Sequence, residues 1–448
     1  MSEVIRIKKG LDIQLKGKAE HIFDQAGLPE LFAVKPTDFV GLTPKLVVKE
    51  GDQVKAGSVL FFNKYQPDIK FVSPVSGSVK IINRGERRKI LEVVIQSDGK
   101  QDTTSFGKSD ISKLSREEII KRMLEGGVWP LIRQRPYDII ANPEDTPKAA
   151  YISAFDTSPL APDNDFVVNG QEKYLQAGVD VMNKLAGEVH IGVNGDSASK
   201  VFHGLKKVNI HTFTGPHPAG NVGIQLNKVM PINKGDLIWT TQPQDLIIIG
   251  KLFLDGIYDS SKIIVLAGSE VKKPAYYRTK IGACIDTIIK GNVNGDNPRY
   301  ISGNILTGTE IEKDGYLSYY HNQISVIPEG NYYEFLGWAK PGFGKYSVSH
   351  SFFTWMCKKK EYALDTNVHG GVRAIVVSGE YDKVLPMDIL PEFLIKSILV
   401  EDIDKMEQLG IYEVVEEDVA LCEFVCTSKL KLQAIVRDGI NLMIKELG

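Results

Sequence analysis

Short runs of alternating apolar and polar residues fill the N-terminal part of the chain. Between Val34 and Ile95 these runs include PKLVVKEGDQVKAGSVLFF, KFVSPVSGSVKII and KILEVVIQ, and turns such as Gly51-Asp52 and SPVSG divide them. Alternation between turn residues is typical of strands that bury one face. The pattern predicts a small β-barrel or sandwich over residues 1–110.

The turns of this region resemble those of the barrel-sandwich domains that carry biotin or lipoate. Such carriers display one lysine at a hairpin tip, and Lys64 in FFNKYQP lies near that position. The neighbours of Lys64 do not match those of a carrier lysine, and no methionine occurs between Val34 and Ile95. We therefore expect the fold without the carrier role, and keep a biotinyl or lipoyl group on Lys64 as an alternative.

A helix and then an alternation of strands and helices follow. Ser115 and Glu118 form a capping-box pattern at the start of EEIIKRMLEGG, which ends at Gly126 and Gly127. From Ala149 the runs AAYISAF, EVHIGVN and KKVNIHTF read as strands, whereas EKYLQAGVDVMNKLAG, QDLIIIGKLFLDG and IGACIDTIIKG read as helices. This alternation predicts a Rossmann-like α/β domain with a parallel sheet over residues 111–295.

Two further regions complete the predicted α/β multidomain architecture. RYISGNIL and QISVIP indicate a small β-rich module, of ubiquitin-like or SLBB type, over residues 296–383. After Val384 the apolar positions recur with helical spacing, which predicts a C-terminal helical domain over residues 384–448.

Composition narrows the class of protein. The 448 residues are 43% hydrophobic and 25% charged with a net charge of −2, so nucleic acid is not expected as the main partner. No apolar run approaches the roughly 20 residues of a transmembrane helix, and no signal peptide is recognisable. Four cysteines do not make a disulfide framework, and we expect a cytoplasmic location.

The stretch HTFTGPHPAG, residues 211–220, has the glycine spacing of a phosphate-binding loop. Pro216 and Pro218 lie between Gly215 and Gly220, and each removes a backbone donor that a phosphate would need. We therefore expect a rigid turn with a packing or docking role. Within the stretch, His211 and His217 lack metal-ligand spacing and are expected to form hydrogen bonds in the turn.

Two cysteines near the C-terminus are the strongest metal candidates. Cys422 and Cys426 are four residues apart and would share one face of a helix. An iron–sulfur cubane needs four thiolates, and the local run supplies two. Buried, unreactive cysteines are the expected outcome.

Several stretches together resemble one family, the A-subunits of the Na⁺-translocating NADH:quinone reductases. They are HTFTGPHPAG, QDLIIIGKLFLDG, LAGSEVKKP, RYISGNILTG and the tail that begins at LPEFLIKSILVEDIDKMEQLG. The resemblance implies a peripheral protein on the cytoplasmic face of the bacterial inner membrane, docked on the membrane-embedded B-subunit within the complete sodium-pump complex. It also implies that FAD, FMN, riboflavin and the [2Fe–2S] cluster belong to the partners, the B- to F-subunits.

More distant relatives show what this chain has lost. In the C-subunit of the Rnf complex and in the flavin- and NADH-binding subunit of complex I, a glycine-rich loop holds flavin. The corresponding EGGVWPLIRQRP keeps only Gly126 and Gly127 and places Trp129 and Pro130 beside them, so the resemblance implies a degenerate flavin loop. Similarly, VCTSK and PMDILP resemble a ferredoxin-like region without its cysteine triads, and leave Cys422 and Cys426 as vestigial cluster ligands.

The resulting hypothesis is a scaffold subunit without a cofactor or catalytic activity of its own. The resemblance adds a contribution to quinone binding near the B-subunit, in a complex that couples NADH oxidation to Na⁺ export. A flavin- or NADH-binding dehydrogenase module is the alternative from another functional class. Two aromatic stretches, residues 316–323 and 346–356, are the candidates for the docking face.

Overall fold

A computed structural model describes residues 4–197, 199–357 and 359–447. The chain folds into several β-sheets, with helices around the central sheet and a helical C-terminal region. The helices are α1 Arg116–Glu125, α2 Asn164–Val168, α3 Glu172–Ala186, α4 Lys200–His203, α5 Val222–Val229, α6 Pro243–Leu254, α7 Asp286–Ile289, α8 Glu380–Val384, α9 Pro391–Leu399, α10 Ile403–Gln408, α11 Ala420–Val425 and α12 Leu432–Leu447.

The predicted N-terminal β region consists of two facing antiparallel sheets. One has the order β2-β8-β7-β4 and the other the order β3-β5-β6. Phe61 and Phe71 stack 4.8 Å apart between them, and Phe39 lies against Phe71. The strands are β2 Leu31–Val34, β3 Pro44–Leu46, β4 Gln53–Val54, β5 Val59–Asn63, β6 Lys70–Val72, β7 Gly77–Arg84 and β8 Ile90–Ser97.

The central sheet is mostly parallel, as the strand–helix alternation predicts. Its order is β1-β13-β12-β11-β14-β9-β10, and β1, β13, β12, β11 and β14 run parallel. β1 comes from the start of the chain, so these first described residues join the central sheet instead of the predicted region 1–110. The strands are β1 Val4–Arg6, β9 Arg133–Arg135, β10 Ile139–Ile140, β11 Ala149–Ser153, β12 Val189–Asn194, β13 Asn209–Thr214 and β14 Ile238–Thr240.

Helices α3 and α6 pack closely against each other through glycines. A Cβ atom on Gly178 would lie 2.2 Å from the carbonyl oxygen of Leu246, and one on Gly250 would lie 2.1 Å from that of Tyr174. Helix α1 begins as predicted, because the Ser115 hydroxyl accepts a hydrogen bond from Glu118 N–H and the Glu118 carboxylate accepts one from Ser115 N–H.

A third sheet has the order β16-β15-β19-β17-β18 and its own apolar core. Residues 261–280 form two of its strands, although the strand pattern places them in the region 111–295. They belong here because β15 pairs in parallel with β19, with Val265 opposite Gln323. The strands are β15 Ser261–Ala267, β16 Ala275–Lys280, β17 Pro298–Ser302, β18 Thr309–Ile311 and β19 Gln323–Pro328.

The segment IGACIDTIIKG is mostly not helical, contrary to the prediction. Only Asp286–Ile289 form a helix. Gly282 adopts a positive φ of 73°, and its carbonyl oxygen accepts a hydrogen bond from Ala33 N–H of the N-terminal region. Ile281 and Ala283 are buried in the main core, and the remaining isoleucines are buried in the core of the third sheet. A helical spacing of apolar residues does not distinguish this kind of burial from that of a helix.

Candidate functional site

A cleft opens at the carboxyl edge of the central sheet, between β11 and β14. Ser153 ends β11 and Thr240 ends β14, and both line the cleft. The parallel strands lie side by side in the order β13, β12, β11, β14. From β11 the chain first adds β12 and β13 on one side and then crosses to add β14 on the other, so the direction of winding reverses between β11 and β14. Open α/β sheets bind ligands at this point. The cleft volume of about 470 Å³ lies in the range of ligand pockets.

Three parts of the chain form the walls of the cleft. The central sheet contributes Arg133 and Thr241, the third sheet contributes Tyr320 and His321, and the C-terminal region contributes residues 415–417. The cleft therefore exists only when these parts are assembled.

The cationic side chains of the cleft are already paired. Arg133 Nη1 lies 2.8 Å from Asp138 Oδ2, and Arg437 Nη2 donates to Glu416 Oε2 over 2.6 Å. Among the described lining residues these are the arginines, and lysine does not occur there. A phosphate group would consequently meet no free cation at this site.

Two carboxylates of the cleft, Asp38 and Glu417, have raised pKa values, whereas the pKa of Asp138 is lowered because the nearby arginines outweigh its burial. Burial raises the pKa of Asp38, although the Lys35 ammonium group 3.6 Å away opposes the shift. Burial, together with the neighbouring Asp418 and Asp138, raises the pKa of Glu417 to about 7, against the opposing effect of Arg135. These shifts show that further negative charge is costly here.

A buried ion pair fixes the C-terminal region beside the cleft. Arg135 Nη1 donates to Asp418 Oδ2 over 3.0 Å and Arg135 Nη2 donates to Glu417 Oε1 over 2.6 Å. The side chains of Arg135 and Asp418 are 2% and 0% exposed. Burial alone would lower the pKa of Arg135, but Asp418, Asp138 and Glu417 raise it above its ordinary value.

His321 and Tyr320 form a neutral, aromatic part of the wall. Burial lowers the pKa of His321 to about 3, and the nearby cations Lys35 and Lys262 add to the shift, so the imidazole is uncharged near neutral pH. Its Nδ1 lies 2.9 Å from the Ser302 hydroxyl. The Arg133 guanidinium lies 4.9 Å from the centre of the Tyr320 ring.

Two uncharged polar atoms in the cleft lack protein partners. The Ser158 hydroxyl and the Asn322 side-chain oxygen are buried without a hydrogen bond to any described residue. One can donate and the other accepts. The cleft thus suits an uncharged ligand with hydrogen-bonding groups better than it suits a phosphate.

Gly126, Gly127, Trp129 and Pro130 of the predicted flavin loop do not line this cleft, although Arg133 from the end of the same stretch does. Gly126 and Gly127 are enclosed by the protein, because added Cβ atoms would lie 2.6 Å from Leu252 and 2.4 Å from Val72. Pro130 belongs to the buried turn that follows, and its carbonyl oxygen accepts a hydrogen bond from the Tyr320 hydroxyl over 2.7 Å.

Trp129, which follows the two glycines of the predicted flavin loop, lies in the core and does not line the cleft. The side chain is fully buried in the core, where its indole N–H donates to the Ala141 carbonyl over 2.7 Å. Its ring meets Trp239 edge-on at 5.5 Å. Trp129 is large enough to fill a cleft, but its polar N–H finds a partner only inside the core.

Cys422 and Cys426 are buried beside α8. Both are at most 1% exposed, and the Tyr381 hydroxyl lies 2.9 Å from Cys426 Sγ. Burial raises the pKa of Cys422, which disfavours the thiolate that a metal would require. Within the described part of the chain, no group of three His, Cys, Asp or Glu side chains could hold a metal ion.

The stretch HTFTGPHPAG forms the end of β13 and a tight turn that leads into α5. Gly215 has a φ of 134°, and an added Cβ would lie 2.2 Å from the carbonyl oxygen of Ile7. The backbone N–H of Gly220 donates to the Thr157 hydroxyl, which also lies 3.1 Å from His217 Nδ1. The turn therefore packs the N-terminal segment and the loop after β11 together, and forms one wall of the cleft.

The histidines of this stretch have different roles. Burial lowers the pKa of His217, which makes the hydrogen bond expected of a turn residue. His211 instead lies on β13, where its ring stacks on His190 with the nitrogens 2.9 Å apart. The prediction that His211 belongs to the turn is wrong because β13 continues to Thr214.

The two predicted docking stretches also differ. Residues 316–323 are largely enclosed, with Leu317 1% and Tyr319 5% exposed, so this stretch cannot form a docking face. Residues 346–356 include the exposed side chains of Phe353, Trp355 and Met356. Lys64 is exposed in the hairpin between β5 and β6, as its position in the sequence predicts.

The sequence did not predict that Arg133, Asp138, Tyr320 and His321 share one cleft, although Arg133 lies in the predicted flavin loop and Tyr320 and His321 in a predicted docking stretch. No motif links them, because they come from separate elements that meet only in the folded chain. The run RQRPYD at residues 133–138 was a signal, since it places charges between apolar segments and so marks buried ion pairs.

Three successive segments of the chain match domain models of one protein family. Residues 5–98 match the NqrA N-terminal barrel-sandwich hybrid domain, and residues 114–258 match the NqrA second alpha/beta domain. Residues 263–313 match the NQRA C-terminal domain. This last match begins within two residues of β15, in agreement with the pairing of the third sheet.

Full-length relatives carry one name. The A-subunit of the Na(+)-translocating NADH-quinone reductase of Yersinia pestis bv. Antiqua is 37% identical over 448 residues, which cover 99% of this chain and 100% of that protein. The proteins of that name from Vibrio vulnificus and Haemophilus influenzae are also 37% identical, with the same coverage.

A solved structure of a NAD⁺-reducing [NiFe]-hydrogenase in the H₂-reduced state covers 75% of this chain and 62% of its own, at 9% identity and a TM-score of 0.37. That similarity is too low to support any statement about this chain. The full-length relatives are sufficient: the chain belongs to the NqrA family, the A-subunits of the Na⁺-translocating NADH-quinone reductases.

Proposed function

We propose that this chain is a peripheral scaffold subunit of a complex that couples NADH oxidation by quinone to Na⁺ export. Family membership supports the assignment to the complex. None of the helices in the described ranges is long and apolar enough to cross a membrane. Attachment at the cytoplasmic face through the membrane-embedded B-subunit follows from the resemblance.

One observation carries the scaffold role: the places where relatives would hold flavin or a cluster are closed by this chain's own side chains. Val72 and Leu252 occupy the space beside Gly127 and Gly126. The sulfur of Cys426 is in contact with the Tyr381 hydroxyl in the core. FAD, FMN, riboflavin and [2Fe–2S] would accordingly be held by the partners, the B- to F-subunits.

An absorption spectrum of the purified chain tests this role. We expect no flavin or iron–sulfur bands, and absorption near one cofactor per chain would instead support the flavin- or NADH-binding dehydrogenase module. The intact mass tests the carrier alternative, because a biotinyl or lipoyl group on Lys64 would add to the sequence mass. Recovery of the chain with the membrane subunits in mild detergent tests the assignment to the complex.

The cleft supports a contribution to quinone binding. A quinone ring is uncharged and planar and has two carbonyl acceptors, whereas a flavin nucleotide brings phosphate. The paired arginines and the carboxylates with raised pKa disfavour the phosphate. The Ser158 hydroxyl, which lacks a protein partner, can donate to a quinone carbonyl. In this proposal the cleft lies where a Rossmann-like sheet binds a nucleotide, but it binds an uncharged quinone.

Calorimetric titration with a short-chain, water-soluble quinone tests this contribution. We expect Ser158→Ala to weaken binding by about threefold to tenfold, the usual effect of one neutral hydrogen bond. Ser349→Ala, on an exposed segment, is the matched control and should bind like the parent chain. Equal affinity of all three proteins would argue against a quinone at this position in the cleft.

A further inference from the structure

Residues 330–367 form a long loop that is closed at its base, here called the aromatic loop. Gly330 N–H donates to the Thr366 hydroxyl over 2.9 Å, and the Tyr332 hydroxyl donates to Asp365 over 2.7 Å. In the described part of the loop, the regular structure consists of short 3₁₀ turns. Loops of this length inside a compact chain are usually functional.

The aromatic loop displays large apolar side chains outward. Elsewhere in the chain, large aromatic side chains such as Trp129 and Trp239 are buried in the core. An exposed apolar group of this size marks an interaction surface. Its exposed members are Tyr332 at 52%, Tyr333 at 105%, Phe335 at 85%, Leu336 at 48%, Phe343 at 70%, Phe353 at 61%, Trp355 at 46% and Met356 at 58%.

The charge of the aromatic loop is opposite to that of the whole chain. Residues 330–367 contain five lysines and three acidic residues, Glu334, Glu361 and Asp365, so the loop is formally positive, whereas the chain has a net charge of −2. Lys340 and Lys345 are paired with Glu334. Lys359 and Lys360 are exposed beside Trp355 and Met356 in sequence.

The loop is fixed to the body of the protein while its apolar side chains point outward. Tyr346 packs against Phe424 of the C-terminal region at 6.1 Å and against Tyr362 of the loop itself at 5.3 Å. Tyr362 N–H in turn donates to the carbonyl oxygen of Gln14 in the N-terminal segment over 2.9 Å. Thr354 is 5% exposed, although its neighbours Phe353 and Trp355 are exposed. The outward side chains are therefore held in place before any partner arrives, which lowers the entropy cost of binding.

We propose that the aromatic loop binds the surface of an anionic lipid bilayer. The inference rests on the proposed function, since it specifies what this part of a peripheral subunit meets at the membrane. Lysine is depleted in protein–protein interfaces, whereas phenylalanine and tryptophan combined with lysine are typical of segments that lie in the headgroup region. The ammonium groups of the lysines are attracted to the negatively charged headgroups of the cytoplasmic leaflet, and the lysine alkyl chains can lie against the apolar part of the lipid.

Co-sedimentation of the purified full chain with vesicles tests the inference. We expect binding to vesicles of phosphatidylethanolamine with phosphatidylglycerol, and at least tenfold weaker binding to pure phosphatidylcholine. The double substitution Phe353→Ser with Trp355→Ser should lower the partition coefficient at least tenfold. Lys360→Gln should lower it about fivefold and make the residual binding less sensitive to salt.

Tyr65→Ser is the matched control, because Tyr65 is 73% exposed but lies in the N-terminal β region. It should bind vesicles like the parent chain, and all variants should unfold at the parent temperature. Failure of the parent chain to bind anionic vesicles, or equal binding by the double variant, would overturn the inference. Crosslinking of residue 355 to a protein subunit in the intact complex would also overturn it, by showing that the loop meets a protein.

The two proposals can fail separately. If the chain is recovered with the membrane subunits in detergent but does not bind vesicles, the scaffold role stands and the lipid contact is wrong. If the chain binds vesicles but never accompanies the membrane subunits, the assignment to the complex is wrong.

Discussion

Replacing Asp418 by alanine should loosen the C-terminal helical region from the central sheet. Asp418 lies fully buried 3.0 Å from Arg135, and its carboxylate also accepts a hydrogen bond from Val415 N–H over 3.0 Å. The substitution leaves the Arg135 charge in the core with Glu417 as its nearest remaining partner, at 2.6 Å, and Asp138 at 3.9 Å.

Removing one partner of a buried pair typically costs about 3–5 kcal/mol. We expect a cost at the lower end of this range, about 3 kcal/mol, because Glu417 still neutralises part of the Arg135 charge. In addition, burial raises the pKa of Asp418, so holding its carboxylate charged in the core already costs part of the free energy that the pair contributes. Three kcal/mol corresponds to about 150-fold more opening. Hydrogen exchange of α12 peptides, measured by mass spectrometry, should accelerate by about this factor.

Glu446→Ala provides the control at the end of the same helix. Its pair with Lys445 is exposed to solvent, and such pairs contribute little to stability. Asp418→Asn should fall between the two, because it keeps a hydrogen-bond acceptor without the charge. If exchange of α12 in Asp418→Ala stays within about threefold of that in Glu446→Ala, the ion pair does not hold this region in place.

Three more predictions follow from the packing and the buried groups. Gly178→Ala should destabilise the chain by about 1–3 kcal/mol in denaturant titrations, because the added Cβ would collide with the backbone of α6. Gly27→Ala is the control: open space surrounds Gly27, so its stability should change by less than about 0.5 kcal/mol. The pKa of His321 lies below its ordinary value of 6.5, so as pH falls the unfolded chain takes up a proton before the folded chain does, and stability is lost below about pH 6.5. His321→Gln should therefore lose less stability than the parent chain between pH 7 and pH 5. Equal losses would contradict the burial of a neutral imidazole. A thiol reagent should label Cys357, which is exposed, and leave Cys422 unlabelled until the chain unfolds, as followed by mass spectrometry.

Local patterns predicted most elements because neighbouring residues specify them. The capping box at Ser115 and the apolar run of α6 depend on contacts within a few residues, and both appear as expected. The segment around Gly282 misled the prediction, because its apolar residues are divided between the main core and the core of the third sheet. Residues 316–323 misled it similarly, since aromatic side chains look the same in sequence whether they face the core or a partner.

The sequence alone determined the strand–helix alternation and the family resemblance, because both depend on residues that are consecutive or nearly so. Only the tertiary structure decided where the cleft lies and which charges line it. Arg135 and Asp418 are 283 residues apart in the chain, and Arg133 meets Tyr320 across two sheets. Such pairs form because a buried charge must find a partner, and no local pattern specifies which distant residue will supply it.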